Sequence, residues 1–85
     1  MPEICYFYGI KIYINYREHD PPHFHAEYGE YKIKVNLGDW IIEGKFPKRA
    51  LKMVLQWAKK HKEELLQDWE LSKSREPLIR IEPLK

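Results

Sequence analysis

Cys5 is the only thiol in the chain, so no disulfide can form within it, and a reducing compartment is the expectation. Apolar runs are short: none approaches the ~18 residues that a membrane span needs. No charged-then-apolar leader marks the N-terminus. The expected location is therefore cytoplasmic, with no membrane partner. Neither sign of charge dominates. Fifteen Lys and Arg face thirteen Asp and Glu, a net charge of +2, too mild for a dedicated nucleic-acid binder on charge alone. Internal repeats, low-complexity segments and linkers are absent, and nothing in the sequence calls for a cofactor.

What is present belongs to one globular domain spanning residues 1–85. Hydrophobic residues make up 44% and aromatics 14% of the chain, well outside the disordered range. Six Tyr and three Trp predict a core of large rings, with some rings reaching the surface as contact points. A chain this short buries only about 60–65% of its unfolded surface, so its stability margin is small.

Glycine is scarce, and all four glycines fall where a turn is wanted. Ile4–Phe7 and Ile10–Tyr16 flank Tyr8-Gly9. Phe24–Tyr28 and Tyr31–Leu37 flank Gly29-Glu30, and Trp40–Glu43 follows Gly38-Asp39. The last two pairs suit type II′ turns, with glycine at positive φ. Gly44 is expected to end the sheet, and Pro47 to take the first helical position. From Pro47 to about Ser72 there is neither Gly nor Pro.

At 100° per residue, Ala50, Leu51, Val54, Trp57, Ala58, His61, Leu65 and Trp69 share one arc opposite a basic one. Leu55 and Leu66 fall among the charges in a straight helix; a break near His61 turns Leu66 inward, and KKHK followed by EE suits such a junction. One helix and two are equally compatible with the pattern. The tail EPLIRIEPLK reads as extended, an edge strand at most. The fold class is α+β: an antiparallel meander of about five strands, packed on one face by a C-terminal amphipathic helix or helical hairpin.

The hairpin register places His23 opposite Asn36, His25 opposite Lys34 and Glu27 opposite Lys32, with Lys34 next to Glu43. Phe24, Ala26, Tyr28, Tyr31, Ile33, Val35, Leu37, Trp40 and Ile42 then form the apolar bed for the helix. His23, His25, Glu27, Lys32, Lys34, Asn36 and Glu43 form the opposite face. Three readings of that polar face stand side by side. It is a solvated sheet surface with weak cross-strand ion pairs. Alternatively, His23 and His25 are an acid–base pair for phosphodiester cleavage, with Lys34 and Arg17 as phosphate contacts and His19 in support. The third reading is a metal site on His23 and His25, completed by His19, Asp20 or Glu27. A lysine beside His25 opposes a divalent ion, which weakens this third reading.

Pro21 and Pro22 stiffen the entry into the third strand, and a cis bond is allowed before either. Seven of the fifteen basic residues lie within Lys45–Lys62. They form a solvated helix face or a contact for an acidic partner or RNA, with Tyr6, Tyr13 or Tyr16 available to stack bases. His61 reads as a packed helix histidine.

The segments MPEICYFYGIKIYI, HDPPHFHAEYGEY, EGKFPKRALKMVLQWAKKHKEELLQDWE and IEPL resemble the domain of unknown function 4160 family over essentially the whole chain. DPPHFHAEYG is the most specific stretch. The resemblance implies a small bacterial protein encoded beside another small protein, the toxin-like half of a toxin–antitoxin-type pair. A cognate antitoxin-like partner is then expected, with RNA or translation as the target. It hands down no catalytic residues. A non-catalytic interaction module, binding a partner or forming a homodimer through Leu55, Leu66 and the tail, is the alternative. A metal-dependent hydrolase is the third.

Overall fold

A computed structural model describes residues 2–85. Five strands pair in chain order as one antiparallel sheet: β1 (Glu3–Phe7), β2 (Ile10–Tyr13), β3 (His23–Tyr28), β4 (Tyr31–Asn36) and β5 (Ile42–Lys45). Two helices follow, α1 (Lys48–Lys60) and α2 (Lys62–Lys73). The fold is the expected α+β meander with a helical pair. No helix among the described residues is long and apolar enough to cross a membrane.

Two of the three tight turns follow the glycines. Tyr8 and Gly9 both take positive φ, 49° and 81°, the type I′ pattern whose twist matches the flanking strands. Gly29 is at φ 59°, and its hairpin sets the register His23↔Asn36, His25↔Lys34 and Glu27↔Lys32, as the sequence predicts.

The third turn differs. Trp40, not Gly38, holds the left-handed conformation, with φ 62°. The loop is four residues long. It closes as Trp40 donates its N–H to the Asn36 carbonyl at 3.0 Å and Asp39 Oδ1 accepts the Ile41 N–H at 3.0 Å. An Asp side chain folded onto its own backbone competes well with the two-residue turn. β5 therefore begins at Ile42 rather than Trp40, yet Lys34↔Glu43 is kept. Gly44 does not end the sheet; it lies within β5 opposite Ile33. β2 stops at Tyr13, short of Tyr16.

The register separates two faces. Ile12, Ala26 and Ile33 line up as partners on one of them, buried with Phe24 and Val35. α1 lies on this face through Ala50, Val54, Trp57 and Ala58, with Trp57 against Phe7 at 5.5 Å and Phe24 at 6.1 Å. Tyr28 and Tyr31, expected in the bed, sit at the hairpin tip and stay part-exposed.

Pro47 takes the N-cap, one place before the expected first helical position. The helices part at His61, where Lys59 and Lys60 at the end of α1 meet Glu63 and Glu64 at the start of α2. Each pair suits its helix dipole. The break turns Leu66 inward. Leu55 and Leu66 pack, part-buried, against the core.

The tail is extended but forms no strand. Ile81 donates its N–H to the Ile4 carbonyl at 2.8 Å on the β1 edge, and Trp57 donates its indole N–H to the Glu82 carbonyl at 2.8 Å.

Candidate functional site

The segment between β2 and β3 is pinned at several points. Arg17 turns the chain at φ 59° and donates its N–H to the Ser72 carbonyl at the end of α2, at 3.4 Å. The Asp20–Pro21 peptide bond is cis. Asp20 Oδ1 accepts the indole N–H of Trp69 at 3.2 Å, and the Pro22 carbonyl accepts the Leu37 N–H at 2.9 Å. The folded-back segment sets Glu18 against His23 and His25 of β3.

Glu18 Oε1 lies 2.9 Å from His23 Nε2 and 2.7 Å from His25 Nε2. Two imidazoles from one strand face thus converge on one carboxylate oxygen. His23 Nδ1 is 2.8 Å from the Pro21 carbonyl; a carbonyl only accepts, so this nitrogen carries a hydrogen and donates it. Burial works to raise the Glu18 carboxyl, but the contacts from His25 and then His23 outweigh it and hold it below its ordinary value. Glu18 is accordingly an ionised acceptor at neutral pH.

Aromatic walls fix both imidazoles. Trp69 packs on His23 with ring centroids 4.8 Å apart, and Tyr13 stacks on His25 at 5.1 Å with an interplanar angle of 12°. The His23 side chain is only 6% exposed, against 18% for His25 and 30% for Glu18. His23 therefore does not lie on an open polar surface, contrary to the expectation from alternation. α2 brings a tryptophan around the end of the sheet and covers it.

Tyr13 likewise is buried rather than free to stack bases. Its hydroxyl donates to Glu27 Oε2 at 2.7 Å, and burial, then Glu27, push its phenol well above the ordinary value. Tyr6 and Tyr16 are the exposed members of that expected trio. Tyr13, His25, Lys34 and Glu43 make one row across four strands. Lys34 Nζ lies 3.3 Å from Glu43 Oε2, so its charge is drawn toward β5.

A shallow groove of about 390 Å³ is lined by Arg17, Glu18, His19, Asp20, His23 and Lys34. The site residues expected from sequence are thereby gathered at one place: four line the groove, and His25 joins it through Glu18. Arg17 and His19 are exposed there. His61 stands apart, its Nδ1–H donating to Glu64 at 2.6 Å and its ring 5.6 Å from Trp57.

The residue that completes the histidine pair is Glu18, not His19, Asp20 or Glu27. The only sequence signal for it was its closeness to the DPPHFH stretch. A loop residue has no periodicity to place it, and its partner is decided by how the loop folds back. Trp69 gave no signal as a site residue either, because a tryptophan on a helix's apolar arc reads as core.

No curated protein and no solved structure matches the chain. Residues 9–70 match the family described as Domain of unknown function (DUF4160). The match runs from the first hairpin turn to just past Trp69 and takes in every residue that lines or covers the groove. The chain belongs to that family.

Proposed function

We propose that the protein is the toxin-like member of a bacterial toxin–antitoxin-type pair, acting on RNA in the cytoplasm and blocked by a small cognate protein. The observation that supports this reading is the groove itself. Two cations, Arg17 and Lys34, and the exposed His19 share a depression with the Glu18–His23–His25 cluster. Cationic side chains beside imidazoles are the groups phosphodiester chemistry uses.

In this reading Arg17 and Lys34 take the phosphate and His19 supports them. The cluster is the reacting centre. His23 has contacts at both ring nitrogens and is buried, so it positions Glu18 rather than shuttling protons. His25, less buried and contacted at Nε2, is the imidazole nearer to solvent.

The test is induced expression of the chain in a bacterial host, with growth and bulk RNA integrity followed together. Growth arrest with RNA loss is expected, and both should vanish in His25→Ala and weaken in Arg17→Ala. Arrest that persists unchanged in both variants removes the RNA-directed reading.

A non-catalytic partner-binding module is the second reading, favoured by one observation. Tyr8, 60% exposed, and Tyr28 flank a depression that also takes in Arg49 and Met53. Tyr and Arg on one surface are the side chains protein interfaces favour. Arrest that survives loss of His25 but not Tyr8→Ala is its signature.

A further inference from the structure

We propose that Glu18, His23 and His25 bind a divalent first-row transition ion of the zinc class, with one coordination position open to the groove. Glu18 Oε1 and the two Nε2 atoms lie within 4.8 Å of one another. Two imidazoles and one carboxylate are a donor set that suits zinc and its neighbours rather than magnesium or calcium, which prefer all-oxygen sites. Three protein ligands also leave a position free, as catalytic zinc sites do.

The anchoring of His23 carries the argument beyond ligand count. Its Nδ1–H is committed to the Pro21 carbonyl at 2.8 Å, so Nε2 is the nitrogen turned toward Glu18 Oε1, 2.9 Å away. Both atoms are ordinary ligands for a metal ion. The Nδ1–H to a backbone carbonyl is the outer contact that metal-bound histidines usually make, because it fixes the tautomer and aims the other nitrogen.

Three further features favour the ion. Trp69 and Tyr13 hold the two rings from their flanks, so little order remains to be imposed on binding. The cationic neighbour that spoke against a metal in the sequence, Lys34, is engaged by Glu43 at 3.3 Å. Glu18 and His23 line the groove, which gives the ion a path in. Ligands on a tetrahedral zinc with bonds near 2.0–2.1 Å stand about 3.3 Å apart. Binding lengthens the two Glu18–imidazole contacts by about half an ångström and brings the two Nε2 atoms, now within 4.8 Å of each other, to the same spacing.

The proposal stands apart from the RNA-directed reading, since binding is measured on purified protein and growth arrest in cells; either can fail alone. Full-length, tag-free protein is stripped with chelator and titrated with Zn²⁺ against a chromophoric competitor. One equivalent is expected to bind. Glu18→Gln and His25→Gln should each weaken binding at least about 100-fold, more than loss of an outer contact costs, whereas His61→Ala should leave it unchanged. Far-UV circular dichroism checks that the variants fold.

Long-range ¹H–¹⁵N spectra of the wild type with and without Zn²⁺ need no variant at all. They should show the Nε2 resonances of His23 and His25 moving on metal addition while Nδ1 keeps its hydrogen. Absence of one-equivalent binding, binding indifferent to Glu18→Gln in a folded variant, or Nε2 resonances that Zn²⁺ leaves in place would each overturn the proposal.

Discussion

Trp69 lies over His23, with ring centroids 4.8 Å apart and planes inclined by 52°. One contact thus joins a helix residue 46 positions away to the first residue of β3. Trp69 is fully buried and its indole N–H reaches Asp20, so it secures both the core and the segment that carries Glu18. Trp69→Ala is expected to cost about 3–5 kcal/mol from lost burial and the cavity left behind. A domain of this length has only about 4–13 kcal/mol in total, so the variant should be partly unfolded at moderate temperature. Trp69→Phe keeps a ring on His23 and loses the hydrogen bond, and should cost about 1–2 kcal/mol. Urea denaturation followed by far-UV circular dichroism checks both. Equal midpoints for the wild type and Trp69→Ala would contradict this account of the packing.

Asp68 is fully buried on α2. Its Oδ1 accepts the Ile79 N–H at 2.8 Å, tying the tail to the helix, while Oδ2 has no hydrogen-bond partner among the described residues. Burial pushes the carboxyl up; the Ile79 contact opposes this and the Glu64 charge adds to it. A raised value means that the folded chain holds this proton more tightly than the unfolded one. The stability Asp68 contributes is therefore complete below the ordinary carboxyl range, near about pH 4. It is lost as pH rises through the folded value. Asp68→Asn, which has no charge to bury, should lose that dependence. In urea denaturation between about pH 4 and pH 8, its stability relative to the wild type should climb with pH. A relative stability that falls with pH would show that the carboxylate, not the acid, is the form the fold prefers.

The meander was legible because its hairpins carry local instructions. Gly29 fixes the β3–β4 register, and with the β4–β5 turn it aligns His25, Lys34 and Glu43 across three strands. The helical arc was legible for the same kind of reason, since Val54, Trp57 and Ala58 repeat at helical spacing. What the sequence hid was non-local. Alternation makes His23 polar-facing but says nothing of a tryptophan from α2 arriving on that face. Glu18 sits in a segment with no period, and its place over two imidazoles depends on contacts with Ser72, Trp69 and Leu37. The Gly38 turn misled because Asp39 and Trp40 build a longer loop from a side-chain contact that glycine spacing does not report.

Gly44 and Gly29 give opposite answers to one question, which makes them a paired test of the sheet. Both take positive φ, 109° and 59°. A Cβ on Gly29 would meet none of the described residues within 4 Å, whereas one on Gly44 would collide with the Lys32 carbonyl oxygen and lie 3.2 Å from Ile33 Cα. Those are backbone atoms of the neighbouring strand and cannot rotate away. Gly29→Ala should therefore cost only the left-handed penalty, about 1–2 kcal/mol. Gly44→Ala adds a steric clash to a φ that side chains avoid, and should cost about 2–5 kcal/mol. β5 is an edge strand, so the chain has a cheaper escape than global unfolding: β5 peels from β4 and opens the Lys34–Glu43 contact. Amide exchange in the Gly44→Ala variant should then accelerate first at Lys32, Lys34 and Asn36, whose N–H groups face the β5 side, ahead of Ile33 and Val35, which face β3. If Gly29→Ala proves the more damaging of the two, the close approach of β4 to Gly44 is not what makes glycine necessary there.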